Sequence, residues 1–300
     1  MTTYDFIAAN KRKTVMLIAV FSALVLFLGW AIDQTYNGGG FFLTIAIIYA
    51  TAAALVSYYT GDKIALAVSA AQPVTAAENP YLVRMVENLC ISQGMPLPKV
   101  YVMNDPAINA FACGRDPQHA SISVTTGALT KLKNEELEGV LAHELSHIQN
   151  YDIRVMTIVI VLVGVISVLA NMFFRVGRLG GNRDRKNGDI GGLLMIIGLV
   201  LLIVSPIIAQ LIKLAVSRRR EYLADASGAL MTRYPEGLAN ALRKIQAENL
   251  PMARASASTA HMFLSNPFSG KPFAAMFSTH PPVELRIAAL EKMASIPQTS

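Results

Sequence analysis

Residues 141–147 read Leu141-Ala142-His143-Glu144-Leu145-Ser146-His147, inside a stretch with the periodicity of a helix. Asn134 opens it, Glu135 and Glu136 put acids at the positive end of the helix dipole, and Leu137, Val140, Leu141, Leu145 and Ile148 form an apolar stripe. Histidines four apart stand one above the other on one face, so both imidazoles reach a single ion, while the intervening glutamate projects beside them. Zinc is the expected ion, one per chain: it takes imidazole readily, has no redox chemistry, and with three protein ligands keeps a fourth position for water. Glu144 is then the candidate base, taking a proton from that water and passing it to a leaving amine. Such a string also arises by chance, but here it lies in helical periodicity with both histidines flanking the apolar stripe.

A three-ligand site needs one more donor. The run Ser217-Arg218-Arg219-Arg220-Glu221-Tyr222-Leu223-Ala224-Asp225 offers two acids four apart on one helix face. Glu221 is placed to bind metal, and Asp225 to accept a hydrogen bond from a ligand histidine and fix its tautomer. Taken alone, an acidic pair behind a basic run is ordinarily a solvated helix start.

Working outward, the 300-residue chain is 53% hydrophobic and only 15% charged, a membrane-protein composition. The net charge of +6 sits in short groups beside apolar runs, such as Lys11-Arg12-Lys13, where bases meet lipid head groups; nucleic-acid binding is not expected. Cys90 and Cys113 form no paired motif and read as reduced thiols.

Four stretches match the roughly 20 residues a spanning helix needs: Thr14 to Ile32, Phe41 to Tyr59, Val155 to Phe174, and Leu193 to about Val216. The first reads as a retained signal anchor. The loop from Asp33 to Gly40 has no Lys or Arg, so the flanking bases place both ends of this hairpin in the cytoplasm. The loop after the third span carries Arg175, Arg178, Arg183, Arg185 and Lys186, which favours a non-crossing hairpin; two full crossings are nevertheless the expectation. The expected organisation is a membrane hairpin over 1–60, a first catalytic part over 61–153, a second hairpin over 154–216 and a second catalytic part over 217–300.

Outside the spans, Asn79 and Pro80 open a helix that Gly94 stops, and three short runs read as strands: Lys99 to Met103, Asn109 to Cys113 and Ala120 to Thr125. Further helices are expected over Glu221 to about Met231, Glu236 to Ala247 and about Pro282 to Met293. His119 reads as an exposed loop residue, and His261 as a packed residue bonding a backbone carbonyl. His280, before Pro281 and Pro282, either faces the site to stabilise a developing oxyanion or serves a helix start.

Over nearly its whole length the sequence resembles the HtpX-type membrane metalloproteases, in the same wider clan as the prenyl-protein CAAX endopeptidases. The resemblance rests on the N-terminal hairpin, Asn109-Ala110-Phe111-Ala112-Cys113-Gly114, the helix from Leu141, and the segment from Ser217 to Asp225. His261-Met262-Phe263, Ser265-Asn266-Pro267 and Thr279-His280-Pro281-Pro282 complete it. It implies Glu221 as third ligand and an α+β fold: a mainly helical membrane protein with four transmembrane helices and a zincin-like metalloprotease domain containing a small β-sheet. It also implies quality control of damaged membrane proteins at the cytoplasmic face of a bacterial inner membrane. The short joins from His147 to Val155 and from Val216 to Glu221 put the metal roughly 10–15 Å from the bilayer. The resemblance makes Asn109 to Cys113 the edge strand beside the zinc. There the backbone would pair with substrate while Asn109 and Phe111 fix register and Ala110 and Ala112 present edge groups; the plainer reading makes Phe111 core. The rival functions are an inactive zinc-containing scaffold or chaperone-like adaptor, and a transporter, which these nearly ion-free spans argue against.

Overall fold

Two long apolar helices begin the chain. The structure, a computed structural model, describes residues 3–165, 218–256, 258–268 and 280–295. Helix α1 (Thr3–Tyr36) and helix α2 (Phe41–Val68) each contain a 28-residue candidate span, Ile7–Gln34 and Phe41–Val68. Asp33 fixes the turn between them, its two carboxylate oxygens accepting from Gly40 N–H at 2.8 Å and Phe42 N–H at 3.1 Å. The helices pack through small residues: a Cβ on Gly29 would lie 2.3 Å from that of Ala46, and Ala46, Ala50 and Ala53 are buried beside Leu17, Phe21 and Val25. Phe27, Trp30, Ile45, Ile48 and Leu55 face outward, as lipid-facing positions should. Helix α2 runs on to Val68, beyond the boundary expected at residue 60.

A short strand β1 (Ala71–Pro73), not anticipated from the sequence, leads to helix α3 (Pro80–Gln93). Asn79 caps α3 by accepting from Leu82 N–H at 3.0 Å, and Gly94 ends it in the left-handed conformation. Strands β2 (Lys99–Met103), β3 (Ala110–Gly114) and β4 (Ala120–Thr125) join β1 in a mixed sheet of order β1-β2-β4-β3. β2 runs parallel to β4, while β1 and β3 pair antiparallel with β2 and β4, so β3 is an edge. The short helix α4 (Thr126–Lys131), also unanticipated, follows β4 on a Thr125 cap.

Helix α5 (Asn134–Gln149) carries residues 143–147 and lies at the centre of the part that holds the sheet. Its apolar stripe packs with β3, β4, α3 and two later helices, α7 (Arg218–Thr232) and α8 (Pro235–Glu248). A final helix, α9 (Val283–Ala294), closes over α7 and α8.

Between α5 and α7 the described chain contains helix α6 (Asp152–Val165), which turns 82° away from α5. This is the first part of the third expected span. Val155, Ile158, Val159 and Leu162 pack into the α1–α2 hairpin, while Met156 and Ile160 pack on Met103, Phe111 and Phe263. α6 thus welds the N-terminal hairpin to the sheet-containing part, which is why its opening turns are buried and not lipid-facing. The remainder of that span and all of the fourth lie outside the described residues. Among those described, two helices qualify as spans on their own, and the fold is mostly helical with one small mixed sheet.

Candidate metal centre

The positions of His143 and His147 follow from α5 itself: one turn apart, both buried, with ring centroids 4.7 Å apart. α7 brings the acid. Gly228 allows the crossing, since a Cβ there would lie 2.9 Å from the backbone nitrogen of His143. Glu221, fully buried, then places Oε2 3.9 Å from His143 Nε2 and Oε1 3.7 Å from His147 Nε2. The two Nε2 atoms are 3.2 Å apart. Metal bonds of about 2.0–2.1 Å at a tetrahedral angle imply ligand separations near roughly 3.3 Å. Donors of three side chains therefore converge as zinc requires, and they form the one such group found among the described residues.

Carboxylates behind the histidines orient them. His143 Nδ1 lies 2.9 Å from Asp225 Oδ1, and His147 Nδ1 lies 3.0 Å from Asp152 Oδ2. These partners assign the proton of each neutral ring to Nδ1 and leave the Nε2 lone pairs facing one another. Two lone pairs at 3.2 Å repel unless a metal ion, or a proton on one of the rings, stands between them, and Glu221 Oε1 is buried without a hydrogen-bond partner. The donor set fits a divalent cation. The same field acts on protons. Burial opposes charging His147, but the bond to Asp152 and the carboxylates of Glu221, Asp152 and Glu144 outweigh it and lift its pKa to about 9. His143 falls to about 4 through burial, helped by the Arg286 and His147 charges and opposed by Asp225. The pocket favours one added positive charge over none.

Glu144 projects from the same turn of α5, and its buried Oε2 has no hydrogen-bond partner. Burial, with the Glu221 charge, pushes its pKa up to about 7 against the His147 and Arg286 charges and the Ala112 N–H that it accepts from. Glu144 therefore stands directly beside edge strand β3. His280 lies at the site as well, its Nδ1 2.7 Å from Glu221 Oε2 and its Nε2 buried without a partner.

The rest of the β3 edge is partly covered. Ala110 C=O accepts from Leu264 N–H at 2.9 Å, and its N–H donates to its own neighbour Asn109 at 3.1 Å. The Asn109 amide clamps Ser265 in both directions, at 3.2 Å each. Phe111 points away from the metal donors and is 1% exposed, its ring edge-on to Phe263. Its environment is core, as the plainer reading of the sequence had it, and the Asn109 amide is buried and occupied by Ser265. His261 donates to the Met156 carbonyl at 3.1 Å, and His119 is exposed beside Asp116.

Four residues of the site were missed by the sequence reading. Arg286 grips Asp225 with Nε at 2.8 Å and Nη2 at 2.7 Å while its Nη1 donates to the Leu264 carbonyl. Asp152 backs His147 and is itself held by Arg220 at 3.0 Å and Asn10 at 2.7 Å. Arg286 lies on a helix far along the chain and Asp152 just beyond the end of α5, so neither carries a spacing signal. Arg220 and Asn10 sit in basic clusters that read as solvent- or head-group-facing.

Comparison with known proteins agrees with this geometry. The profile of peptidase family M48 matches residues 76–294. The chain is 45% identical over 295 residues to a protease HtpX homolog of Caldanaerobacter subterraneus subsp. tengcongensis, covering 97% of this chain and 98% of that one. A protease HtpX homolog of Tropheryma whipplei is 44% identical over 290 residues, covering 97% and 98%. The crystal structure of S. mikatae Ste24p shares the fold with a TM-score of 0.52 at 18% identity, over 96% of this chain and 67% of that one. The chain belongs to peptidase family M48, among its HtpX-type membrane metalloproteases.

Proposed function

We propose that this chain is a zinc endopeptidase of the bacterial inner membrane that cuts damaged or misassembled membrane proteins at the cytoplasmic face. The observation that carries the reading is the convergence of His143 Nε2, His147 Nε2 and Glu221 in one buried pocket with Glu144 beside it. Zinc held by those three residues would supply Lewis acidity toward both water and the scissile carbonyl. Glu144, with a pKa raised to about 7, takes the proton of the attacking water as the new C–O bond forms. It returns that proton to the amide nitrogen as the C–N bond breaks, so the carboxylate is regenerated. His280 holds one oxygen of Glu221 and so would help orient the carboxylate that would hold the zinc. Asp225 and Asp152 keep both imidazoles in the ligating tautomer.

Substrate would lie along β3 with its backbone near Ala112, beside the base. Lys11, Arg12 and Lys13 near the start of α1, and the turn free of Lys and Arg at its far end, support a cytoplasmic site. The weld of α6 to the membrane hairpin keeps the site close to the bilayer, which supports membrane-derived substrates. A scaffold role is less well supported, because a purely structural zinc site has no use for a buried acid such as Glu144 whose Oε2 has no hydrogen-bond partner.

The test is zinc content and cleavage of a misfolded membrane protein in reconstituted vesicles. The wild type should hold one zinc per chain and lose cleavage to a chelator, while Glu221→Ala should lose both metal and cleavage. Full zinc occupancy in Glu221→Ala would remove Glu221 from the ligand set.

A further inference from the structure

Helix α1 would be expected to serve as an anchor, its polar residues turned to solvent or head groups. Asn10 does neither: in the first turn of the candidate span Ile7–Gln34 it is 2% exposed. Its amide Nδ2 donates to Asp152 Oδ1 at 2.7 Å and to the Asn150 carbonyl at 3.0 Å. Its Oδ1 accepts from Arg220 Nη1 at 3.3 Å, and the same Nη1 reaches Asp152 Oδ1 at 3.0 Å. Asp152 Oδ2, its other oxygen, bonds His147 Nδ1 at 3.0 Å. A continuous buried chain of hydrogen bonds therefore runs from the membrane helix through Asp152 to a metal-donor histidine.

Each link is directional. A carboxylate with one oxygen held by Asn10 and Arg220 cannot rotate, so its second oxygen stays aimed at His147. Asn10 also holds the Asn150 carbonyl in the turn between α5 and α6, where the chain bends by 82° and where Asp152 begins its helix. An apolar residue at position 10 would both leave Asp152 Oδ1 to Arg220 alone and take the donor from a buried carbonyl.

We infer that Asn10 is a positioning residue of the metal centre, fixing Asp152 and through it His147, so that the first membrane helix is a working part of the site. The inference rests on His147 being a metal ligand, as proposed above. Partners of ligand histidines typically account for 10- to 100-fold in metal affinity; Asn10 acts one bond further out, so its loss should weaken zinc about 10-fold, the lower end of that range.

The experiment uses the full-length protein in detergent or nanodiscs, with zinc affinity measured by chelator competition and the visible spectrum of the cobalt-substituted protein as a report on ligand geometry. Wild type, Asn10→Leu, Asp152→Ala, the double variant and His147→Ala are compared. Asn10→Leu should bind zinc about 10-fold more weakly with an altered cobalt spectrum, and the double variant should be no weaker than Asp152→Ala alone, because Asn10 acts through Asp152. Should Asn10→Leu not fold, Asn10→Ala removes the amide without adding bulk or charge, and the same loss is expected. Unchanged affinity in the folded Asn10 variant, or a fully additive loss in the double variant, overturns the inference. If His147→Ala binds zinc as tightly as wild type, the ligand assignment itself fails and this inference goes with it.

Discussion

Replacing Asp225 by alanine removes a carboxylate that does two separable things. It holds His143 Nδ1 at 2.9 Å, and it neutralises the Arg286 guanidinium through bonds of 2.8 and 2.7 Å, with both side chains about 2% exposed. Loss of the histidine partner should weaken zinc about 10- to 100-fold, or about 1.4–2.8 kcal/mol. Stranding a buried cation is the larger effect, about 3–5 kcal/mol of folding stability against a total on the order of 5–15 kcal/mol. The two separate in a second variant. Asp225→Ala with Arg286→Leu removes both charges and should recover most of the stability, while His143 remains unheld and zinc affinity stays low. Thermal unfolding of the metal-free protein in detergent reads the first quantity and chelator competition the second. Unaltered stability in Asp225→Ala, or wild-type zinc affinity in the double variant, would refute the reasoning.

Other outcomes follow from the same structure. Ala112→Pro deletes the N–H that Glu144 accepts from on the edge of β3, and should slow peptide cleavage at least 10-fold with zinc content unchanged, about the worth of one hydrogen bond to a charged group; a normal rate would show that this bond does not position Glu144. Gly29→Leu drives a side chain into Ala46, where even a Cβ would lie 2.3 Å away, and should lower stability by about 1–3 kcal/mol in a thermal unfolding assay; an unchanged melting temperature would show that the helices separate freely. Cys90 and Cys113 are free and buried, and burial raises both thiol pKa values, that of Cys90 to about 11. Alkylation at pH 8 followed by mass spectrometry should add nothing to the native protein and two labels after unfolding; rapid native labelling would contradict the burial.

The parts of the site that sequence alone displayed are those set by local geometry. Helical spacing places His143, Glu144 and His147, and Glu221 and Asp225, by the rule that residues four apart share a face. Caps and turns were similarly readable, as Asn79 and Gly94 show. What stayed hidden depends on tertiary burial. Asn10, Arg220 and Arg286 look like ordinary surface polar residues, and only the packing of α1, α6, α7 and α9 around α5 shows that each is enclosed with a carboxylate partner. The third apolar stretch is ambiguous for a related reason. A run of Val and Ile is equally suited to lipid and to protein, and the first turns of α6 are buried by the hairpin on one side and the catalytic core on the other.

The central claim is that Glu144 moves the proton while His143, His147 and Glu221 hold the metal. Glu144→Gln tests it most directly, with zinc content and cleavage rate measured on the same purified, vesicle-reconstituted sample. The account predicts one zinc per chain and no detectable cleavage, since the base is gone and every ligand remains. Cleavage at the wild-type rate by the zinc-loaded variant would contradict it.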